Sequence, residues 1–211
     1  MKNFYLRFGS SLVIGPLFLI GLYEVGFFFY SLLLLFFLSS FYEVFKNVKQ
    51  FFLSFCIYFL IIFFIFSLFK IRGSNNSDYI YLIWIIFIVW TSDIGGYVFG
   101  NIFKGPKLTN YSPNKTISGL LGSIMFSQSS FLILYLFLDY NYLDLKLIIV
   151  QFFLCIISVF GDIFFSYIKR INNIKDYSNL IPGHGGILDR IDGMIFVVIF
   201  YNLASLKNVI Q

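Results

Sequence analysis

Charge is what this sequence has least of. Asp, Glu, Lys and Arg supply 12% of its 211 residues, where a soluble domain carries roughly 25%. The shortage argues against a water-soluble fold. With 59% hydrophobic residues and 31 Phe, a domain of this size cannot hide its apolar side chains behind a polar surface. A bilayer removes the difficulty, because lipid solvates such side chains. Cysteine is nearly absent. Cys56 and Cys155 both sit in apolar runs without metal-ligand spacing, which argues against a zinc site or a disulfide framework. Histidine is reduced to His184, and three of the four prolines (Pro106, Pro113, Pro182) fall in two polar stretches. The basic start, Met1 to Arg7, leads into an apolar run with no small-residue cleavage site behind it. It reads as a first membrane helix rather than a signal peptide.

The charge-free runs are 8–23, 25–42, 50–69, 79–92, 117–138, 147–161 and 193–206. The fourth continues past one acid, Asp93, to Phe103, and the sixth past Asp162 to Ile168. A crossing takes about 20 residues, so the pattern predicts an all-α, polytopic transmembrane helical bundle of about seven spans, the first two joined by a tight turn near Glu24. Alternating loops then put Lys70, Arg72, Lys146 and Lys207 on one side and every other Lys and Arg on the side of the N-terminus. Basic residues favour cytoplasmic loops, which places the N-terminus and the polar loops 100–116 and 166–190 in the cytoplasm. The same bias accounts for the net charge of +5 without a nucleic-acid partner.

Polar residues this scarce are informative where they occur. Asp93 lies in TSDIGGYVFG and Asp162 in FGDIFFSYIKR, each toward the cytoplasmic end of its span. An acid in a membrane helix is costly unless it faces a cavity, a cation or a partner. Two such acids at similar depth repel unless a proton or a cation lies between them, and a divalent metal with oxygen ligands or a proton relay both answer the need. For Asp93 a plain helix end, with Gly95, Gly96 and Gly100 serving close packing, also stays open. The segment 166–192 gathers Lys169, Arg170 and Lys175, suited to phosphate oxygens. It also holds a glycine turn (Gly183, Gly185, Gly186) around His184, and Asp189 and Asp192 three residues apart at the start of the last span. The other loop offers Lys115, Thr116 and Ser118 within SPNKTISG.

These residues carry a resemblance. The run Ser166-x-Ile168-Lys169-Arg170, Lys175-Asp176-x-Ser178, Ile181-Pro182-x-His184-Gly185-Gly186-Ile187-x-Asp189-Arg190-Ile191-Asp192 is similar at every defined position to the hallmark of the phosphatidate cytidylyltransferases. SDIGGYVFG and SPNKTISG resemble two weaker motifs of that family. The likeness covers roughly residues 80–200, and the first 75 residues match only as generic membrane helices. Departures fall in two places: Ile117-Ser118 replaces the usual Trp-Glu, and Phe165 replaces an acid. If that acid contributes to metal binding, the metal is held differently or more weakly here.

The resemblance implies a nucleotidyltransferase making CDP-diacylglycerol and pyrophosphate from CTP and phosphatidate, with Mg²⁺ and a monovalent cation such as K⁺. It implies an N-terminal membrane region (1–75, spans 1–3) and a catalytic membrane domain (76–211, spans 4–7), and a multi-pass protein of the inner (plasma) membrane whose active site faces the cytoplasm. A homodimer is an expectation for enzymes of this kind, though no residue pattern marks an interface. Asp162 and Asp189 are expected as metal ligands, with Asp93 and Asp192 as ligands or directly behind them. Lys169, Arg170 and Arg190 are expected on phosphates, Lys175 on substrate, and Lys115, Thr116 and Ser118 on the lipid phosphate or the triphosphate. His184 is expected to organise the glycine loop or contact a phosphate rather than act as a base.

Other classes fit less of the chain. A CTP-dependent lipid kinase of the polyprenol or phytol type resembles the family more loosely and is the alternative reading. Asp189-Arg190-Ile191-Asp192-Gly193 mimics the start of a CDP-alcohol phosphotransferase motif, but no acid follows Gly193. An ion-coupled membrane transporter using Asp93 and Asp162 as a relay leaves the polar loop 166–192 without a role.

Overall fold

A computed structural model describes residues 20–24, 26–73, 78–138, 145–181, 185–204 and 206. Among them the fold is all-α, with seven helices and no strand beyond two isolated bridges, Lys107 to Thr116 and Ile181 to Gly185. The helices are α1 (Phe27–Asn47), α2 (Phe51–Arg72), α3 (Tyr79–Phe103), α4 (Ile117–Ser127), α5 (Phe131–Leu138), α6 (Leu145–Ile171) and α7 (Leu188–Leu203). Among the described residues, five stretches are long and apolar enough to cross a membrane: α1, α2, α3, α4 and α5 taken together over Ile117–Leu138, and α6. The expected first span, 8–23, lies outside the described residues except for its last turn, which is helical over 20–23. His184, Lys2, Arg7, Asp139, Asp144 and Lys207 also lie outside them.

The apolar runs locate the helices closely, and the two extensions past a buried acid hold: α3 ends at Phe103 and α6 at Ile171. The fifth run does not stay one regular helix. Gln128–Ser130 tightens into a 3₁₀ turn between α4 and α5. Ser127 and Ser129 hydroxyls donate to the carbonyls of Ile124 and Phe126 (2.8 and 2.7 Å), competing with the helix ladder, and Gln151 of α6 faces the turn and hydrogen-bonds Ser130 at 2.9 Å. The last helix begins five residues before its charge-free run and has 16 residues, so it is not among the five stretches of crossing length. Asp189, Arg190 and Asp192 join its first turn because each meets a charge or hydrogen-bond partner there.

Large apolar side chains stay exposed on the helix surfaces. Phe27, Phe45, Phe51 and Phe52 are 74 to 90% exposed, which suits acyl chains better than water. The dry interior is built on α3, which touches α2, α4, α5, α6 and α7 and buries Trp84, Ile85 and Ile88 completely, with Leu154 of α6 and Val197 and Val198 of α7 against them.

Glycines set the closest approach in that interior. Gly95, Gly96 and Gly100 of α3 face Gly119 and Gly122 of α4, and the Ser123 hydroxyl donates to the Ser92 carbonyl at 2.8 Å. A methyl group on Gly122 would stand 2.6 Å from the Gly95 carbonyl oxygen and from the Phe99 ring, whereas one on Gly26 would meet nothing within 4 Å. Gly122→Ala is therefore expected to cost about 1–3 kcal/mol of stability through overpacking, read as a lower Tm of the purified protein in detergent. Gly26→Ala should leave Tm unchanged, and equal Tm for the two variants would contradict the tight seam.

Candidate active site

The polar ends of five helices meet at one end of the bundle: the C-terminal ends of α1, α3 and α6 and the N-terminal ends of α4 and α7. Local sequence explains how. Helix α6 stops just after Lys169 and Arg170 because Asn173 takes a left-handed conformation (φ 56°). The Ile174 and Asn173 amides then donate back to the Lys169 and Arg170 carbonyls at 3.0 and 3.1 Å, satisfying the last turn. Ser112-Pro113-Asn114-Lys115 forms a turn closed by the Lys115 amide on the Ser112 carbonyl (3.0 Å), with proline where its fixed φ suits it. The turn delivers Lys115 directly before Thr116, whose hydroxyl oxygen caps α4 by accepting from the Gly119 amide (3.1 Å).

Between these ends lies a chamber of about 330 Å³ lined by Asp93, Asp162 and Asp192 from three helices and by Lys115, Thr116 and Ser166. Two more glycines make the arrangement possible. A Cβ on Gly161 would stand 2.8 Å from the Asp192 carbonyl oxygen, and one on Gly193 would stand 2.7 Å from Asp162 Oδ1. Without side chains there, α6 and α7 close until the Asp162 and Asp192 carboxyls are in hydrogen-bonding reach of each other. The Lys115 ammonium meets Asp162 Oδ2 at 2.5 Å, and the charges acting on Asp93 are those of Asp162, Lys115 and Arg190. Three carboxylates thus share one space under the charges of Lys115, Arg190 and Lys169.

The two aspartates of α7 divide their duties differently from the expectation. Asp189 does not line the chamber. Its Oδ1 meets Lys169 at 2.8 Å, and its Oδ2 accepts from the Tyr177 and Gly186 amides at 2.8 and 3.0 Å. With all those partners and a side chain 4% exposed, it organises the loop before α7. Asp192 is the chamber wall instead. Lys169 reaches both, at 2.8 Å to Asp189 and 3.9 Å to Asp192, so it links the loop to the chamber.

The remaining expected residues spread outward. Thr116 is in the chamber, while the Ser118 hydroxyl donates to the Lys104 carbonyl and holds the 104–116 loop. Arg170 reaches the Tyr111 and Ile174 carbonyls at 3.4 Å and joins the two polar loops. Lys175 is exposed and lines, with Lys46, an open surface pocket outside the chamber. Phe165, where the family's acid was expected, is completely buried against the rings of Phe164, Tyr177 and Phe196 and does not line the chamber.

Two residues escaped the sequence reading. Glu43 of α1 is completely buried, and its carboxylate accepts from the Ser178 hydroxyl (2.6 Å) and the Ile187 and Leu188 amides (2.8 and 2.9 Å). Asn47, one turn on, donates to the Tyr177 carbonyl at 2.5 Å. The signal was present, since an acid inside an apolar helix demands a partner. Tyr177 itself is completely buried. Burial pushes its hydroxyl well above the ordinary value, and the charges of Asp189, Asp192 and Glu43 push the same way.

Among the described residues no three His, Cys, Asp or Glu side chains form a group able to hold a metal ion unaided. The Asp162–Asp192 pair nevertheless suits a hard divalent cation. Such an ion takes one or two carboxylates from a protein and completes its oxygen shell with water and substrate phosphate.

Fold and site together define a helical membrane protein with an acidic, lysine-screened chamber at one end of its bundle. The chain belongs to the Cytidylyltransferase family, whose model matches residues 5–206. It is similar to proteins named phosphatidate cytidylyltransferase. That of Staphylococcus haemolyticus (strain JCSC1435) is 35% identical over 64% of this chain and 52% of its own length. That of Staphylococcus saprophyticus is 35% identical over 60% of this chain and 49% of its own. That of Staphylococcus aureus (strain COL) is 36% identical over 61% and 50%. The chain spans about half the length of these relatives.

Proposed function

We propose that the chain is a phosphatidate cytidylyltransferase, joining CTP to phosphatidate to give CDP-diacylglycerol and pyrophosphate. The observation that carries the reading is the chamber that gathers Asp93, Asp162 and Asp192 around Lys115 and Thr116, in a chain similar to enzymes of that name. Two polyanions must meet there, and neither approaches the other until its charge is screened.

The lipid phosphate is already a nucleophile, so no strong base is needed. One of its oxygens attacks the α-phosphorus of CTP in line, the new P–O bond forms as the α–β bridge breaks, and pyrophosphate leaves with the electron pair. Lys115, on the turn before α4, offsets charge on the phosphates from within the chamber. Thr116 fixes that turn, and Lys169 ties Asp192 to Asp189 and the loop before α7. Asp162 and Asp192 would hold Mg²⁺, which supplies screening of the triphosphate and of the departing pyrophosphate. Arg190, whose charge acts on Asp93, would offset the charge of a phosphate beside that residue.

In this reading the chain is a multi-pass protein of the plasma membrane with about seven spans, a cytoplasmic N-terminus and a cytoplasmic chamber. The gathering of Lys and Arg on the chamber side supports that orientation. CTP labelled at the α- or the γ-phosphorus, supplied with phosphatidate to the purified protein, tests the reaction. The expected result is lipid labelled only from the α-position, with pyrophosphate released. Lipid labelled from the γ-position with CDP released would replace this reading with a lipid kinase.

A further inference from the structure

A buried acid of α1, Glu43, far in sequence from the chamber's aspartates, fixes where α7 begins. Helix α7 starts at Leu188 with Ile187 as its cap residue, and Ile187 has no side chain able to cap. Its first amides would otherwise be left without acceptors inside the protein, a cost of about 1–3 kcal/mol for each buried group. Glu43 supplies them from another helix. Its Oε1 takes the Ile187 amide and its Oε2 the Leu188 amide, and the Ser178 hydroxyl completes the set. A carboxylate at a helix N-terminus also faces the positive end of the helix dipole. No salt bridge involves Glu43 among the described residues, so amides and a hydroxyl offset the burial of its charge. Gly186 is shaped to the contact, since a Cβ there would stand 2.7 Å from Glu43 Oε1.

We infer that Glu43 is a positioning residue for the chamber: by binding the first amides of α7 it sets the height and rotation of that helix, and with them the place of Asp192 beside Asp162. The inference rests on the transferase reading for its consequence, but the contact itself does not. It gives a segment that resembles only generic membrane helices a part in the site. Both ends of the contact are tied down, because Asn47 holds the Tyr177 carbonyl on the same loop whose Tyr177 amide Asp189 holds.

Glu43→Gln tests it in the full chain in detergent. The amide keeps the shape but turns one acceptor into a donor facing N–H groups. Hydrogen exchange at Ile187 and Leu188 is expected to rise by about tenfold or more, and kcat for pyrophosphate release to fall by about tenfold or more. KM for phosphatidate should change little, because Glu43 does not line the chamber. Glu43→Asp, which keeps the charge, should recover part of the kcat. Exchange unchanged from wild type, or faster exchange with kcat intact, overturns the inference. So does a loss of kcat in Glu43→Gln with no recovery in a folded Glu43→Asp. Wild-type protein that consumes no CTP overturns the transferase reading alone, and the exchange at 187 and 188 then decides the contact by itself.

Discussion

Asp162→Asn is expected to lower Mg²⁺-dependent pyrophosphate release by about 10²- to 10³-fold while the protein stays folded. Asp162 acts, by contact or by charge, on every other charged residue that lines the chamber. Lys115 lies 2.5 Å from one of its oxygens, Asp192 is in hydrogen-bonding reach, and its charge acts on Asp93. Removing a preorganised charge from the place where transferring phosphates gather typically costs about 3–4 kcal/mol in the transition state. The folded state should not suffer. Asn has the same shape, and losing one of three neighbouring negative charges relieves repulsion, so Tm should be equal to or above that of wild type. The measurement is kcat across a Mg²⁺ titration with a parallel melt. Near-normal turnover at ordinary Mg²⁺ would remove Asp162 from the site.

Lys115→Met should act on the nucleotide as well as the rate. The side chain keeps its length and loses the ammonium that faces the carboxylates. The triphosphate then meets three carboxylates with one fewer screening cation, and charge-assisted contacts to phosphate are about twice as strong as neutral ones. Turnover at saturating substrate is expected to fall by about 10²-fold, with a higher KM for CTP. Lys115→Arg, charged but forked and longer, should restore part of the binding and less of the rate. A KM for CTP unchanged in Lys115→Met would place the triphosphate elsewhere. The salt bridge to Asp162 is partly open to solvent, so its loss alone contributes little to stability.

Much of this was legible from residue chemistry. An acid inside an apolar run is expensive in lipid, and that alone drew Asp93 and Asp162 together and carried the fourth and sixth runs through them to Phe103 and Ile168; the helices end at Phe103 and Ile171. The glycines near Asp93 proved to be packing glycines, and they are also what lets Thr116 and Lys115 approach Asp93. The division between Asp189 and Asp192 was not legible. Residues three apart on a helix share a face broadly but differ by about 60° around its axis. That angle turns Asp189 to the Tyr177 and Gly186 amides and Asp192 to Asp162. The partners of Glu43 lie 135 to 145 residues further along the chain, beyond any local pattern. The early start of α7 was hidden for the same reason, since its charged first turn is stable only because Lys169 and Glu43 come from elsewhere.

Asp93, Asp162 and Asp192 line one chamber, which is expected to bind a divalent cation. Iron-directed cleavage tests it most directly. Fe²⁺ exchanged for Mg²⁺ in the purified chain with CTP, then treated with ascorbate and peroxide, cuts the backbone beside wherever the ion rests. The account predicts cuts near residues 93, 162 and 192 together, suppressed by excess Mg²⁺. Cuts confined to one helix, or clustered around Lys175–Asn179 outside the chamber, would contradict it.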